Sequence, residues 1–171
     1  MEALENLFSR KSVRHFTGAA VSREAIEILL RAGMAAPSAV NKQPWAFVAV
    51  TERALLDELA AGLPYAQMLG KAGAAIVVCG LLEKANAGIK EYVIIDCSAA
   101  TENILLAAEA QGLGAVWTAA YPRPEREEWV RKVLALPENV IPFCVIPLGH
   151  PTGEDLAKNK FNPENIHWQK W

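Results

Sequence analysis

Glu91-Tyr92-Val93-Ile94-Ile95-Asp96-Cys97-Ser98-Ala99-Ala100-Thr101-Glu102-Asn103-Ile104-Leu105-Leu106-Ala107-Ala108-Glu109-Ala110-Gln111 reads as the longest helix of the sequence, and Gly112 closes it as the residue after the C-cap. Its apolar positions, 92–95, 97, 99, 100 and 104–108, wrap almost all the way round. A helix apolar on all sides is buried in a core or an interface. The segments on either side alternate between helix and strand. Before it, Ser22 reads as the N-cap of a helix running to about Ala35, stopped by Pro37. Residues 46–50 form a short apolar strand, and Thr51 caps a helix through about Ala60. Residues 74–81 are a fully buried strand bounded by Gly73 and Gly80, and 83–90 a polar loop. After it come a strand over 115–118, a helix with Pro124 at its first position, and a last strand over 142–148. A short helix over 2–9 leads the chain in. Helices mixed with short strands indicate a layered α/β or α+β domain.

The 171 residues fit one domain, 1–171, and 52% hydrophobic residues exclude a disordered chain. A net charge of −2 argues against a general nucleic-acid binder. Five Trp stand in a chain with only 8% aromatics, and Trp168 and Trp171 fall in the last four residues. Free tails are usually polar. This tail is expected to dock, on its own chain or on a second subunit. The three Cys, 79, 97 and 144, are odd in number and widely spaced, which points to buried reduced thiols and a reducing cytosol. The start of the chain, Met1-Glu2-Ala3-Leu4-Glu5-Asn6, shows no apolar leader. The longest uncharged stretch, 139–153, is interrupted by Pro142, Pro147 and Pro151 and is too short to span a bilayer. His15, His150 and His167 are far apart, so no metal site is expected. Gly112-Leu113-Gly114 lacks the third Gly of a dinucleotide fingerprint.

Four segments carry the candidate chemistry. Arg10-Lys11-Ser12-Val13-Arg14 sets three cations and a hydroxyl close together. If the segment is extended, Arg10, Ser12 and Arg14 point the same way, and converging forked donors suit a phosphate. The plainer alternative is a solvated basic turn. Ala36-Pro37-Ser38-Ala39-Val40-Asn41-Lys42-Gln43-Pro44-Trp45 is a stiff polar loop that could present donors to a heteroaromatic edge, or simply connect a helix to a strand. Gly112-Leu113-Gly114-Ala115-Val116-Trp117-Thr118-Ala119-Ala120-Tyr121-Pro122 lets backbone approach a flat ring, with Trp117 and Tyr121 as walls; a plain core strand is the alternative. Lys158-Asn159-Lys160 adds two cations that serve an anion site or only face solvent.

Taken in this order, the four segments resemble the nitroreductase family of FMN-dependent oxidoreductases, over nearly the whole chain. The resemblance implies an α+β fold, an α/β sandwich with a central, mostly antiparallel sheet flanked by helices, built as an intertwined homodimer. It implies FMN as cofactor, making the chain a flavoprotein, with NADH or NADPH as co-substrate. By position, Arg10, Ser12 and Arg14, with Lys11 beside them, look like phosphate and ribityl contacts, and Lys158 and Lys160 would join from the tail. Asn41 and Gln43 match polar residues near the flavin. Pro37, Ser38 and Ala39 match a part that reaches the flavin from the partner subunit. Trp117, Thr118 and Ala119 match the segment beside the ring. Lys42 and Tyr121 are substrate-pocket candidates. No protein side chain need be catalytic, because the flavin carries the chemistry. The implied activity is hydride transfer from NAD(P)H and ping-pong reduction of nitroaromatics, quinones or similar acceptors, in the cytoplasm, with no nucleic acid or membrane as partner. A non-catalytic FMN-binding or sensing protein, or a flavin-fragmenting or dehalogenating enzyme on the same scaffold, are the alternatives. The chain departs from the family at Ala120-Tyr121, where many members carry a Glu-Gly pair, and it is compact between Ala60 and Glu91, where longer members insert helices.

Overall fold

The apolar runs of the sequence become strands of one sheet and the helices that cover its two faces. The computed structural model describes residues 2–171; Met1, the first residue of the expected domain, lies outside them. In chain order the elements are α1 (Ala3–Ser9), α2 (Arg23–Met34), β1 (Trp45–Val50), α3 (Arg53–Gly62), β2 (Ala74–Leu81), α4 (Lys90–Ala110), β3 (Gly114–Ala115), β4 (Thr118–Ala119), α5 (Pro124–Leu134) and β5 (Val140–Gly149). The sheet order is β1-β2-β5-β3, β4 also pairs with β5, and every pairing is antiparallel. The fold is α+β with an antiparallel sheet, as the sequence leads one to expect.

Strand β2 shows why its run is apolar throughout. Ala74, Ile76 and Val78 face a core that also holds Ile26 and Leu29 of α2 and Val93, Cys97 and Ile104 of α4. Ala75, Val77 and Cys79 face a second core with Leu56 and Leu59 of α3 and Val130 of α5. Period-two alternation therefore feeds two cores, and both faces of the strand are dry.

Helix α2 begins where the sequence places it: the Ser22 hydroxyl accepts from the Ala25 N–H at 3.1 Å. Helix α3 begins one residue later than expected. Its N-cap is Glu52 rather than Thr51, with no side-chain cap. The polar loop over 83–90 contains two short 3-10 turns, 82–84 and 86–88. The expected strand over 115–118 is divided into β3 and β4. The register across the gap is continuous, since Ala115 pairs with Leu148 and Thr118 with Val145. The gap lies at Pro147. Val116 donates to the Pro147 carbonyl at 3.3 Å, but a proline has no N–H to return. The other proline of β5, Pro142, sits at a register shift next to Cys79.

The two tryptophans of the tail are open to solvent in the single chain: Trp168 is 79% exposed and Trp171 fully exposed. Trp171 stacks on His167, at 4.2 Å between ring centres.

Gly114 ties the sheet edge to the basic turn. A Cβ there would lie 2.5 Å from Val13 Cγ1, and the Val13 N–H donates to the Ala115 carbonyl at 3.0 Å. Overpacking of this kind costs about 1–3 kcal/mol. The Gly114→Ala variant is expected to melt several degrees below the wild type by scanning calorimetry; an unchanged midpoint would contradict this packing.

Candidate functional site

Two distant segments meet beyond the end of β5. The chain leaves that strand at Gly149 and passes Phe16, with Phe16 and Pro151 forming an antiparallel bridge. The Thr17 N–H donates to the His150 carbonyl, and the Thr152 N–H to the His15 carbonyl, both at 3.0 Å. This pairing lays the tail beside the basic turn. Between them is a cavity of about 660 Å³ lined by Arg10, Lys11, Ser12, Arg14, Lys158 and Lys160, with Glu154 and Asp155. Five cations stand there against two carboxylates, in a chain whose net charge is −2.

The cations are not equivalent. Arg10 Nε lies 3.4 Å from Glu102 Oε1, and Lys11 Nζ 2.8 Å from Glu109 Oε1, both acids being on α4. These pairs pin the turn to α4 and partly neutralise Arg10 and Lys11. Arg14, Lys158 and Lys160 form no ion pair among the described residues and stand ready for an outside anion. The Asp155 carboxylate is committed to the turn. Its Oδ2 accepts from the Arg14 N–H at 2.9 Å and the His15 N–H at 3.1 Å, and lies 3.2 Å from His15 Nδ1. Partial burial pushes the Asp155 carboxyl up, but these hydrogen bonds outweigh it and hold the group below the usual carboxylate range.

The polar loop lies elsewhere on the chain and is held under strain. Val40, Asn41 and Gln43 all have positive φ, at 52°, 55° and 51°. For a β-branched valine this is a genuine outlier, and such strain persists only where surroundings over-determine it. Here the Ala39 N–H donates to Asp96 Oδ1 at 3.0 Å, the Gln43 N–H to Ser38 Oγ at 2.9 Å, and Gln43 Nε2 to Asn41 Oδ1 at 3.1 Å. The second oxygen of Asp96, Oδ2, is buried without a hydrogen-bond partner among the described residues. Pro37, Lys42, Asn41 and Gln43 are exposed.

The third segment splits its roles. Thr118 Oγ1 donates to the Val145 carbonyl at 2.7 Å and is buried, so its hydroxyl serves the sheet. Trp117 meets Phe143 edge-on at 5.4 Å. Ala119 is exposed. Tyr121 lies under Lys90, whose Nζ is 4.7 Å from the ring centre. The structure thus gathers Arg10, Lys11, Ser12, Arg14, Lys158 and Lys160 into one cavity. It does not bring Pro37, Ser38, Ala39, Asn41, Gln43, Trp117, Thr118 or Ala119 to that cavity.

Sequence reasoning missed Asp96 and Asp155. Asp96 has a signal, the lone carboxylate in the run from Val93 to Cys97. Asp155 has none, because its partners lie about 140 residues away. Among the described residues no group of three His, Cys, Asp or Glu could hold a metal, and no helix is long and apolar enough to cross a membrane.

A cavity with three uncommitted cations, a hydroxyl and a fixed turn fits the phosphate of a nucleotide-like cofactor. Comparison with known proteins is consistent with this. The model of the nitroreductase family matches residues 7–150. A protein of Archaeoglobus fulgidus, provisionally named NADH dehydrogenase/NAD(P)H nitroreductase, is 44% identical over 99% of both chains. A crystal structure from Bacteroides thetaiotaomicron with the same provisional name superposes with a TM-score of 0.93 at 51% identity, covering 99% of this chain and 98% of that one. A nitroreductase structure from Desulfovibrio desulfuricans, provisionally so named and solved in complex with FMN, has a TM-score of 0.82 at 30% identity over 98% of this chain and 96% of that one.

The cysteines are no part of the site. All three are free and buried. Burial pushes the thiols of Cys79 and Cys144 up to about 12, and that of Cys97 upward as well. They are expected to ignore a thiol reagent such as DTNB at pH 8 until the protein is unfolded, when all three should react; labelling of the native protein would contradict their burial. Because the folded pKa lies above the ordinary thiol value of 9.0, stability is intact below pH 9 and falls as pH rises toward 12. The slope is about 1.4 kcal/mol per pH unit for each thiol, readable in urea melts.

Proposed function

The chain belongs to the nitroreductase family, and we propose on that premise that it reduces nitroaromatics, quinones or similar electron-poor acceptors, as an NAD(P)H-dependent oxidoreductase with FMN as its cofactor. The observation that carries the reading is the cationic cavity between the basic turn and the tail. The redox chemistry, hydride in from NAD(P)H and electrons out to the acceptor in ping-pong order, is supplied by bound FMN.

The protein's part is binding and orientation. Arg14, Lys158 and Lys160 hold the phosphate, with Arg10, Lys11 and Ser12 forming the floor of the turn. Ala39 and its neighbours, braced by Asp96, offer the donors of a rigid loop to a flavin, and Trp117, Thr118 and Ala119 supply backbone beside the ring. Lys42 and Tyr121 face the acceptor. No side chain has to act as acid, base or nucleophile.

The working unit is a homodimer of one-domain chains, with residues 158–171 completing the site and anchoring on the partner. Two observations support this. Ile95 of α4 is 63% exposed, and Leu4, Leu7 and Phe8 of α1 are also open to solvent. Leu156, Phe161, Trp168 and Trp171 are exposed along the tail. A second chain would cover both. Reduced, unpaired cysteines suit a cytoplasmic location.

The purified protein should be yellow, and its flavin should bleach anaerobically with NADH or NADPH and recolour on addition of an acceptor, with FMN recovered intact. A protein that is colourless and takes up no FMN would sink the proposal. Replacing Arg14 by Ala is expected to weaken FMN binding about tenfold or more, the scale of one charge-assisted contact. For the dimer, Ile95→Glu should shift the size-exclusion peak from two chains to one; a wild type that elutes as one chain would refute the assembly.

A further inference from the structure

The cationic cavity contains an oddity, a carboxylate pressed into the place where a phosphate is to bind. Asp155 lines the cavity together with five cations. Its side chain is only 14% exposed. Unscreened, a negative charge there would repel a phosphate. Its hydrogen bonds explain its presence. One oxygen, Oδ2, receives the N–H groups of the consecutive residues Arg14 and His15 and faces the His15 ring. The charge is spent on the turn that carries Arg14.

The position of Asp155 along the chain matters equally. The two sets of cations come from opposite ends of the sequence, Arg10 to Arg14 and Lys158 with Lys160. From Leu156 to Lys160 every residue is exposed. Asp155 is the last partly buried residue before that stretch. Fixing flexible residues costs conformational entropy, so an untethered tail brings two lysines to an anion at a large penalty. A tether just ahead of them removes much of it in advance.

We infer that Asp155 is a positioning residue that joins the two halves of the anion site and thereby sets the preference for a phosphorylated flavin over the same flavin without phosphate. The inference rests on the FMN reading above. It adds that phosphate recognition depends on a residue of the sign opposite to its ligand. Asp155 touches the turn and not the phosphate, and acts through Arg14 and through the lysines that follow it. His15 shares the arrangement: its Nε2 lies 3.9 Å from Glu154 Oε2 on the solvent side.

The experiment is a pair of binding titrations on the full-length apoprotein, with FMN and with riboflavin, followed by quenching of flavin fluorescence. Wild-type protein should bind FMN much more tightly than riboflavin. Asp155→Ala is expected to lower the ratio of the two affinities about tenfold, mainly by weakening FMN and with less than about a twofold effect on riboflavin. Asp155→Asn retains an oxygen that accepts the two backbone N–H groups but lacks the charge, and should lose about threefold. It decides the matter if the Ala variant does not fold. A ratio unchanged from wild type in the folded variants, including an equal loss for both ligands, overturns the inference while leaving the FMN reading intact. A wild type that binds FMN no better than riboflavin overturns the phosphate assignment itself, and the role of Asp155 with it.

Discussion

Strand β5 is paired along both edges, with β2 on one side and β3 and β4 on the other, and the cationic cavity follows from where that strand ends. A strand held on both sides cannot slide without moving every apolar side chain to the wrong face. Its exit at Gly149 is therefore fixed. The space there is tight, since a Cβ would lie 3.0 Å from both the Gly73 nitrogen and Phe16 Cδ1 and would push a neighbour aside. The residues after Gly149 consequently lie against Phe16 and Thr17, and the tail passes the basic turn as a matter of sheet geometry. Moving the register of β5 would separate Lys158 and Lys160 from Arg14 without altering any of them.

The same constraint governs how much was legible in the sequence. The apolar run of 74–81 and the Ser22 cap state their structure locally, and both are found where expected. The divided edge strand is different. Its cause, Pro147, is visible in the sequence, but its effect depends on which residue pairs with it, and pairing is a long-range fact. The site divides along the same line. Arg10, Ser12 and Arg14 announce themselves by alternating in one short segment, whereas the approach of Lys158 and Lys160 depends on β5, and without the family resemblance their spacing says little. Asp155 has no local signature, because its hydrogen bonds are made to backbone groups that every residue possesses.

Helix α4 links the fold to the site in a second way. Its apolar periphery was the clue to a buried helix, and most of it is buried in one chain, with Val93, Cys97, Ala100 and Ile104 in the core. Ile95 is not. The same helix supplies Glu102 and Glu109 to the basic turn and Asp96 to the strained loop. One rigid rod thus sets the positions of both polar segments. Movement of α4 would disturb the turn and the loop together.

The placement of acids explains how a chain of net charge −2 makes a site for an anion. Arg10 and Lys11 are offset by Glu102 and Glu109, and the Asp155 charge is drawn into backbone N–H groups. The field that reaches the cavity is that of Arg14, Lys158 and Lys160, which form no ion pair among the described residues, offset in part by Glu154. Five unpaired cations would repel one another and hold the turn open before any ligand arrived. Pairing two of them removes that repulsion and fixes their stems, so the remaining three act from a rigid base. The acids near the cavity therefore suit it to the phosphate proposed for it: they make the positive field local, and they leave its orientation settled before binding.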